Sequence, residues 1–397
     1  MVDTHDSKMT VLGTLPIDWE VSNIQDCFQK NEKIKIGPFG SQLKKEYLLP
    51  RGDYYVYGQE NVYQDDFHIC YRFLSFERFN SLKSCEIRPG DFVVSTMGTI
   101  GKCAVVPDYA HVGIMDSHLV RMRFNDSLFK PFFAYLFRSR IIQEQIRKLS
   151  VGGIMEGLST SILKKIDVIV PPIQEQKRIA SALSTIDSLI CELDEAISKK
   201  RHIKEGIMQQ LLTGKLRLPG FSGKWEERRL DSFEIVNGSM LKSSEYEIGN
   251  VPVIAGGQTP AGFHSKANRP ANTITISGSG AYAGFVSFHS VPIFASDCST
   301  IENPKNADII YLYFSLLSKQ KEIYKCQAGG AQPHVHAKDI KDITIMIPSS
   351  VEEQKAISVV LTKSDDEIRG LETQRDKYAL IKQGMMQELL TGKTRLI

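Results

Sequence analysis

One stretch of this chain occurs twice, and the duplication constrains every other reading of it. The first copy opens with Gln176-Lys177-Arg178-Ile179 and closes with Leu211-Leu212-Thr213-Gly214-Lys215-Leu216-Arg217-Leu218. The second runs from Gln354-Lys355-Ala356-Ile357 to Leu389-Leu390-Thr391-Gly392-Lys393-Thr394-Arg395-Leu396, at a constant offset of 178 with no gap and about twenty identical positions. A period this long is not that of a solenoid. It describes two large half-chains that end in the same device.

The device reads as a long helix. Ile179, Leu183, Ile186, Ile190, Leu193 and Ile197 fall at alternating spacings of four and three, and Ile357, Leu361, Ile368 and Leu371 continue the pattern in the second copy. That is a heptad seam, which buries its narrow apolar stripe along another helix. A stripe so narrow needs a packing partner, and the simplest partner for each copy is the other. Some 40 helical residues make a rod of roughly 60 Å.

Each copy is preceded by a globular stretch that opens on one of the two tryptophans, at Pro16-Ile17-Asp18-Trp19 and at Gly223-Lys224-Trp225. From tryptophan to repeat is 157 residues in the first half and 129 in the second. The helix length is held while the globular part varies. The sequence divides into a first domain over 1–172, with 1–14 as a loose tail, a first helix over 173–218, a second domain over 219–349, and a second helix over 350–397. Both domains mix short strands and helices, an α+β pattern. In the first, Tyr54–Val62 contains a strand, Phe92–Ser95 and Cys103–Val106 are strands, Pro131–Lys148 is helical, Ser150–Gly153 is a Gly/Ser loop, and Ile166–Val170 closes the domain. In the second, Asn272–Ser277 and Phe285–Phe288 are strands, Asp308–Tyr324 is helical, Ala328–His334 is a Gly-rich loop, and Ile343–Pro348 closes.

Composition bounds the class. Apolar content of 42% and charged content of 24% are ordinary for a globular chain. No apolar run is long enough to span a membrane, and Met1–Thr14 lacks the order of a signal peptide. Seven scattered cysteines with no Cys-x-x-Cys pair argue against zinc or a disulfide framework and for the cytoplasm. The net charge of +3 is modest, but basic clusters stand at Lys44-Lys45, Lys164-Lys165 and Lys199-Lys200-Arg201-His202.

Catalytic motifs are incomplete. Thr391-Gly392-Lys393-Thr394 ends like a phosphate-binding loop, but Gln387 stands where that motif needs glycine, so Gly214 and Gly392 read as helix caps. Glu175-x-Lys177 with Asp167, repeated as Glu353-x-Lys355 with Asp342, resembles a metal-nuclease fragment. Its Glu lies in the first turn of a helix, where acidic residues favour the dipole. His334 and His336 lack further metal ligands. The expectation is no catalytic residue, no metal and no cofactor in this chain.

Duplicated modules on a spacer suit a long regular ligand, and duplex DNA is the obvious one: two readers on a fixed spacer would contact half-sites at a set separation. Polar loop residues that could reach base edges are Ser41, Gln42, Lys44, Gln59, Asn61, Thr99 and Lys102 in the first domain. Ser277, Ser279, Tyr282, Gln332 and His334 are their counterparts in the second.

Four segments together carry a family resemblance: Pro171-Pro172-Ile173-Gln174-Glu175-Gln176-Lys177-Arg178-Ile179, Met208-Gln209-Gln210-Leu211-Leu212-Thr213-Gly214-Lys215, Gly90-Asp91-Phe92-Val93-Val94-Ser95 and Gly98-Thr99-Ile100-Gly101-Lys102. Across nearly its whole length the chain resembles the specificity subunit of type I restriction-modification enzymes. The second copy departs slightly, with one proline and an extra residue at Pro348-Ser349-Ser350-Val351. The resemblance implies two target-recognition domains, each reading half of a split DNA site, and two helices forming an antiparallel coiled coil that sets the gap. It implies two modification subunits carrying S-adenosylmethionine and methylating adenine, and restriction subunits using ATP and Mg. The chain itself would supply recognition without chemistry. A stand-alone DNA-binding or bridging protein is the alternative, and a single-chain nuclease a third.

Overall fold

The computed structural model describes residues 7–97, 101–150, 158–329 and 332–397. It divides into two compact units, Met1–Glu192 with Arg375–Ile397, and Leu193–Gln374. Each unit therefore holds one globular domain with part of both long helices, a division that follows packing and cuts across the boundaries drawn from the sequence.

In the first unit Glu20–Asn23 pairs antiparallel with the closing strand Asp167–Val170. A four-stranded antiparallel sheet runs in the order Lys35–Ile36, Leu119–Met122, Phe92–Ser95, Cys103–Val105. A second sheet runs in the order Phe73–Leu74, Tyr54–Tyr57, Gly113–Met115, Glu86–Ile87, with its two middle strands parallel. Phe92–Ser95 is buried throughout, as its Phe-Val-Val run requires of a strand covered on both faces. Phe92, Phe124 and Phe133 meet behind it, with centroids 4.7–5.7 Å apart.

The second unit repeats the plan. Trp225–Arg229 pairs with Thr344–Pro348. An antiparallel sheet runs Val236–Asn237, Cys298–Ile301, Thr273–Ser277, Val286–His289. A three-stranded sheet runs Gly262–His264, Val251–Ile254, Phe294–Ala295, again with a parallel pair. The first domain adds the edge strand Glu86–Ile87 and the helices Gln59–Gln64 and Phe76–Ser81. Those insertions contribute to its greater length.

Several expectations are corrected. Ser7–Thr10 and Gly13–Pro16 form a hairpin where a loose tail was expected. The strand at Tyr54 ends at Tyr57, and Gln59–Gln64 is helical. The helix expected over 131–148 is two, Lys130–Arg138 and Arg140–Ser150, broken where Ser139 turns extended and its Oγ bonds Leu136 O at 2.6 Å. Likewise 308–324 divides into Ile309–Ser318 and Gln320–Lys325. The Gly/Ser loop at 151–153 lies outside the described residues.

The long helices span Ile173–Leu211 and Val351–Leu389, ending short of the expected 218 and 397. Gly214 and Gly392 stop them with φ of +71° and +68°. The chain then turns back, with Leu216 N donating to Gln210 O at 3.1 Å and Thr394 N to Glu388 O at 3.3 Å. Within each unit the helices run antiparallel. Lys382 pairs Asp187 at 2.5 Å in the first unit. In the second, Lys200 pairs Glu367 at 2.7 Å, Lys204 pairs Asp365 and Arg201 pairs Glu372. Lys204 and Asp365 are the repeat equivalents of Lys382 and Asp187.

The seam is not purely helix on helix. Ile179 and Leu183 sink into the first domain's core beside Leu389 and Leu390. Ile357 and Leu361 do the same in the second, with Met208, Leu211 and Leu212. Leu193, Ile197 and Ile368 are buried, while Ile186, Ile190 and Leu371 are half-buried.

Candidate nucleic-acid interface

The parallel strand pair in each domain brings several loop ends to one rim. In the first domain Tyr54–Tyr57 runs into Gly58 and Gln59, Gly113–Met115 into Asp116, Phe92–Ser95 into Thr96, and Lys35–Ile36 into Gly37. Ser95 N donates to Lys102 O at 2.9 Å, so exposed Lys102 joins this rim. Asp116 is buried and neutralised by Arg72 Nη1 at 3.0 Å, and Arg72 Nη2 donates to Glu60 at 2.9 Å. Tyr63 Oη lies 3.0 Å from Gln59 Oε1 and from Ser95 Oγ, and 2.8 Å from Met97 O, tying helix to sheet.

In the second domain Ile254 leads to Gly256, Ala295 to Asp297, Ser277 to Ser279, and Asn237 to Gly238. Gly278 N donates to Asp297 O at 3.0 Å, and Ser279 Oγ donates to the Asp297 carboxylate. His334 bridges both Ser279 and Ala328, which sets His334 beside the loop carrying half-exposed Tyr282; Gln332 is exposed just before it.

Two sequence candidates are corrected here. Asn61 is 1% exposed. Its amide accepts from Gly58 N at 2.9 Å and donates to Asp66 O and Ile69 O at 3.0 and 2.7 Å, so it shapes the loop and presents nothing to a groove. Ser277 is 3% exposed in a central strand, its hydroxyl facing inward. Gln59 stands on a helix rather than a loop and is partly covered. Ser41, Gln42 and Lys44 are exposed on the loop beyond Gly37, and Thr99 lies outside the described residues. The equivalent second-domain loop carries exposed Lys242 before a short 3-10 turn, as Lys44 does in the first. Leu43-Lys44 and Leu241-Lys242, each followed shortly by Glu-Tyr, were the signal available for it.

The sequence reading also missed the clamp that joins each long helix to its domain. Glu175 is buried and accepts from Arg395 Nε at 2.7 Å, Arg395 Nη2 at 2.8 Å, Trp19 Nε1 at 2.9 Å and Leu396 N at 3.2 Å. Its repeat equivalent Glu353 accepts from Arg217 at 2.6 and 2.8 Å. Arg395 lies 5.6 Å over the Trp19 ring, and Arg217 5.6 Å over Trp225. The tail of one repeat thus holds the start of the other. These carboxylates are bidentate arginine partners, which leaves none of the open coordination a metal nuclease requires. Beside each sits a buried glutamine. Gln176 Oε1 accepts from Phe129 N and Gln354 Oε1 from Asp308 N, both at 2.7 Å, pinning the domain's own helix to the long one.

Burial pushes the thiols of Cys27 and Cys103 up to about 11 and that of Cys298 up to about 12, the opposite of an activated nucleophile. Among the described residues no group of three His, Cys, Asp or Glu could hold a metal ion, and no helix is long and apolar enough to cross a membrane.

A family model described as the type I restriction modification DNA specificity domain matches residues 16–200 and 222–378, covering both rims and most of both helices. The chain belongs to the type I restriction-modification DNA specificity family. A chain assigned as the type I restriction enzyme MjaX specificity subunit of Methanocaldococcus jannaschii is 24% identical, covering 98% of this chain and 96% of its own length. The crystal structure of the type I restriction-modification S subunit from M. genitalium matches with a TM-score of 0.64 at 19% identity, over 98% of this chain and 97% of that one. A chain solved in work on complex assembly and conformational transition of the type I system matches at 0.58 and 18%, over 96% and 99%. At such identities the solved structures speak for the fold. Family membership makes DNA sequence recognition the role of the two matched domains, and a specificity subunit works in assembly with DNA and other subunits.

Proposed function

We propose that each rim reads one half of a split duplex site. The antiparallel helix pair would set the gap between the halves and carry two modification subunits. The observation behind this reading is the duplicated rim: the same loop ends, on the same topology, present different side chains in the two domains. A common scaffold with variable tips suits two half-sites of different sequence. Each helix of 39 residues is about 58 Å long. The chemistry belongs in this proposal to the partners: adenine methylation with S-adenosylmethionine on the modification subunits, and ATP- and Mg-dependent cleavage on restriction subunits. The setting is the cytoplasm.

Single-molecule sequencing of host DNA, with and without the gene, tests the reading. Methylation should vanish at one split motif, in both halves together. Replacing residues 16–172 with another such domain should then change one half only. Unchanged methylation on deletion, with selective DNA binding retained by the purified chain, would favour a stand-alone DNA-binding protein.

A further inference from the structure

In both domains the edge strand of the antiparallel sheet ends on a glycine held from two sides. Gly37 N donates to Leu119 O at 3.0 Å, and Gly238 N to the equivalent Cys298 O at 2.7 Å. A Cβ would fall 1.7 Å from Asp116 O at Gly37 and 2.1 Å from Ser296 O at Gly238, so only glycine fits either place. The loops that follow are braced. Gln42 N donates to Phe39 O at 2.8 Å, and the Arg78 guanidinium donates to Gln42 O while lying 4.1 Å over the Tyr47 ring. In the second domain Ser239 N donates to Ala295 O at 2.9 Å and Leu241 N to Ser296 Oγ at 3.0 Å.

Two residues past each glycine a large apolar side chain stands in water. Phe39 is 69% exposed and Met240 75%. Leaving such groups out of the core forgoes a substantial burial gain, and the chain does so twice at one structural position. Exposed polar and basic residues follow on both loops, Gln42, Lys44 and Lys45 in one, Lys242, Ser243 and Ser244 in the other.

We propose that Phe39 and Met240 are base-step wedges. Each enters between two stacked base pairs of its half-site while the following lysines hold the adjacent phosphates. The proposal rests on the reading of the rims as DNA-recognition surfaces and deepens it. Phe and Met share apolar bulk and little else, and bulk on a braced support is what unstacking a step requires. An apolar side chain can also contact a thymine methyl in the groove, and removal of those methyls separates that contact from a wedge. A wedge also confers selectivity without hydrogen bonds to bases, because pyrimidine–purine steps yield more easily than others.

The test uses the full chain with its modification partners, on duplexes of the mapped site carrying 2-aminopurine at one position at a time. Binding should raise fluorescence at one step in each half, away from the methylated adenine. Phe39→Ala should abolish the rise in one half only and weaken binding about tenfold, the scale of losing support for one unstacked step. Met240→Ala should do the same in the other half, and Phe39→Leu should retain the signal. Replacing thymines by deoxyuridine should leave affinity within about twofold, since only methyls are removed. Selective binding with fluorescence and affinity unchanged in both alanine variants would overturn the wedge and leave the recognition reading standing. A loss reproduced by deoxyuridine would overturn it in favour of methyl contacts. No selective DNA binding by the wild type would overturn both.

Discussion

The clamps on Glu175 and Glu353 are built from the same residues of the same repeat, yet they are not equally provided. Glu175 accepts from an arginine, a tryptophan and a backbone amide, and its arginine has a second carboxylate in Asp18 at 2.7 Å. Among the described residues the Glu353 side chain accepts from Arg217 alone, and Trp225 Nε1 is buried without a partner. The residue before the tryptophan decides part of this: Asp18 in one copy, Lys224 in the other. The Trp–Glu hydrogen bond is absent from the second copy although Trp225 and Glu353 are both retained, so repeating the residues does not by itself repeat the contact.

The largest test of this contrast removes the arginines. Arg217→Ala should strand a buried carboxylate and cost about 3–5 kcal/mol, seen in urea unfolding and in faster amide exchange of Thr344–Pro348. Arg395→Ala leaves Glu175 two further donors and should cost clearly less. Equal losses would show that the extra donors contribute nothing.

The capping glycines come next. Both hold left-handed backbone, so alanine costs about 1–2 kcal/mol at either. At Gly392 a Cβ would also lie 2.5 Å from Pro16, whereas at Gly214 its nearest atom is 3.2 Å away in the Trp225 ring. Gly392→Ala should therefore lower the Tm by more than Gly214→Ala; the reverse order would mean that the first clamp yields more readily than its packing implies.

The smallest effect is acid-dependent. The hydrogen bond from Arg395 holds the Asp18 carboxyl below its ordinary 3.8 despite partial burial. A depressed folded value means that this stabilisation is present above the unfolded value and lost as pH falls through the folded one. Asp18→Asn should be less stable than wild type near neutrality by under about 1 kcal/mol, as for a half-exposed pair. The gap should close as the pH is taken down past the ordinary 3.8 and through the lowered folded value. A gap that persists there would assign the loss to packing.

How much of this was legible in advance depends on the range of the interaction. The two long helices, the strands Phe92–Ser95 and Thr273–Ser277 and the closing strands of both domains rest on local periodicity and propensity; the strands stand where the pattern put them, and the helices begin there but end several residues early, at Leu211 and Leu389. The breaks at Ser139 and Lys319 were not legible, because neither residue forbids a helix. Asn61 and Ser277 look like contact residues because exposure is not written in a polar side chain. Asn61 went inward to satisfy three backbone groups of its own loop.

The sequence by itself determined the duplication, the helical spacer device and the mixed character of each domain, since these follow from spacing along the chain. Only the tertiary structure decided which repeat end meets which. Arg217 finds Glu353 across 136 residues and Arg395 finds Glu175 across 220. Antiparallel packing within each unit lays the tail of one copy on the head of the other. A buried carboxylate must be met by a cation wherever the fold delivers one, and that delivery is a property of three-dimensional closure.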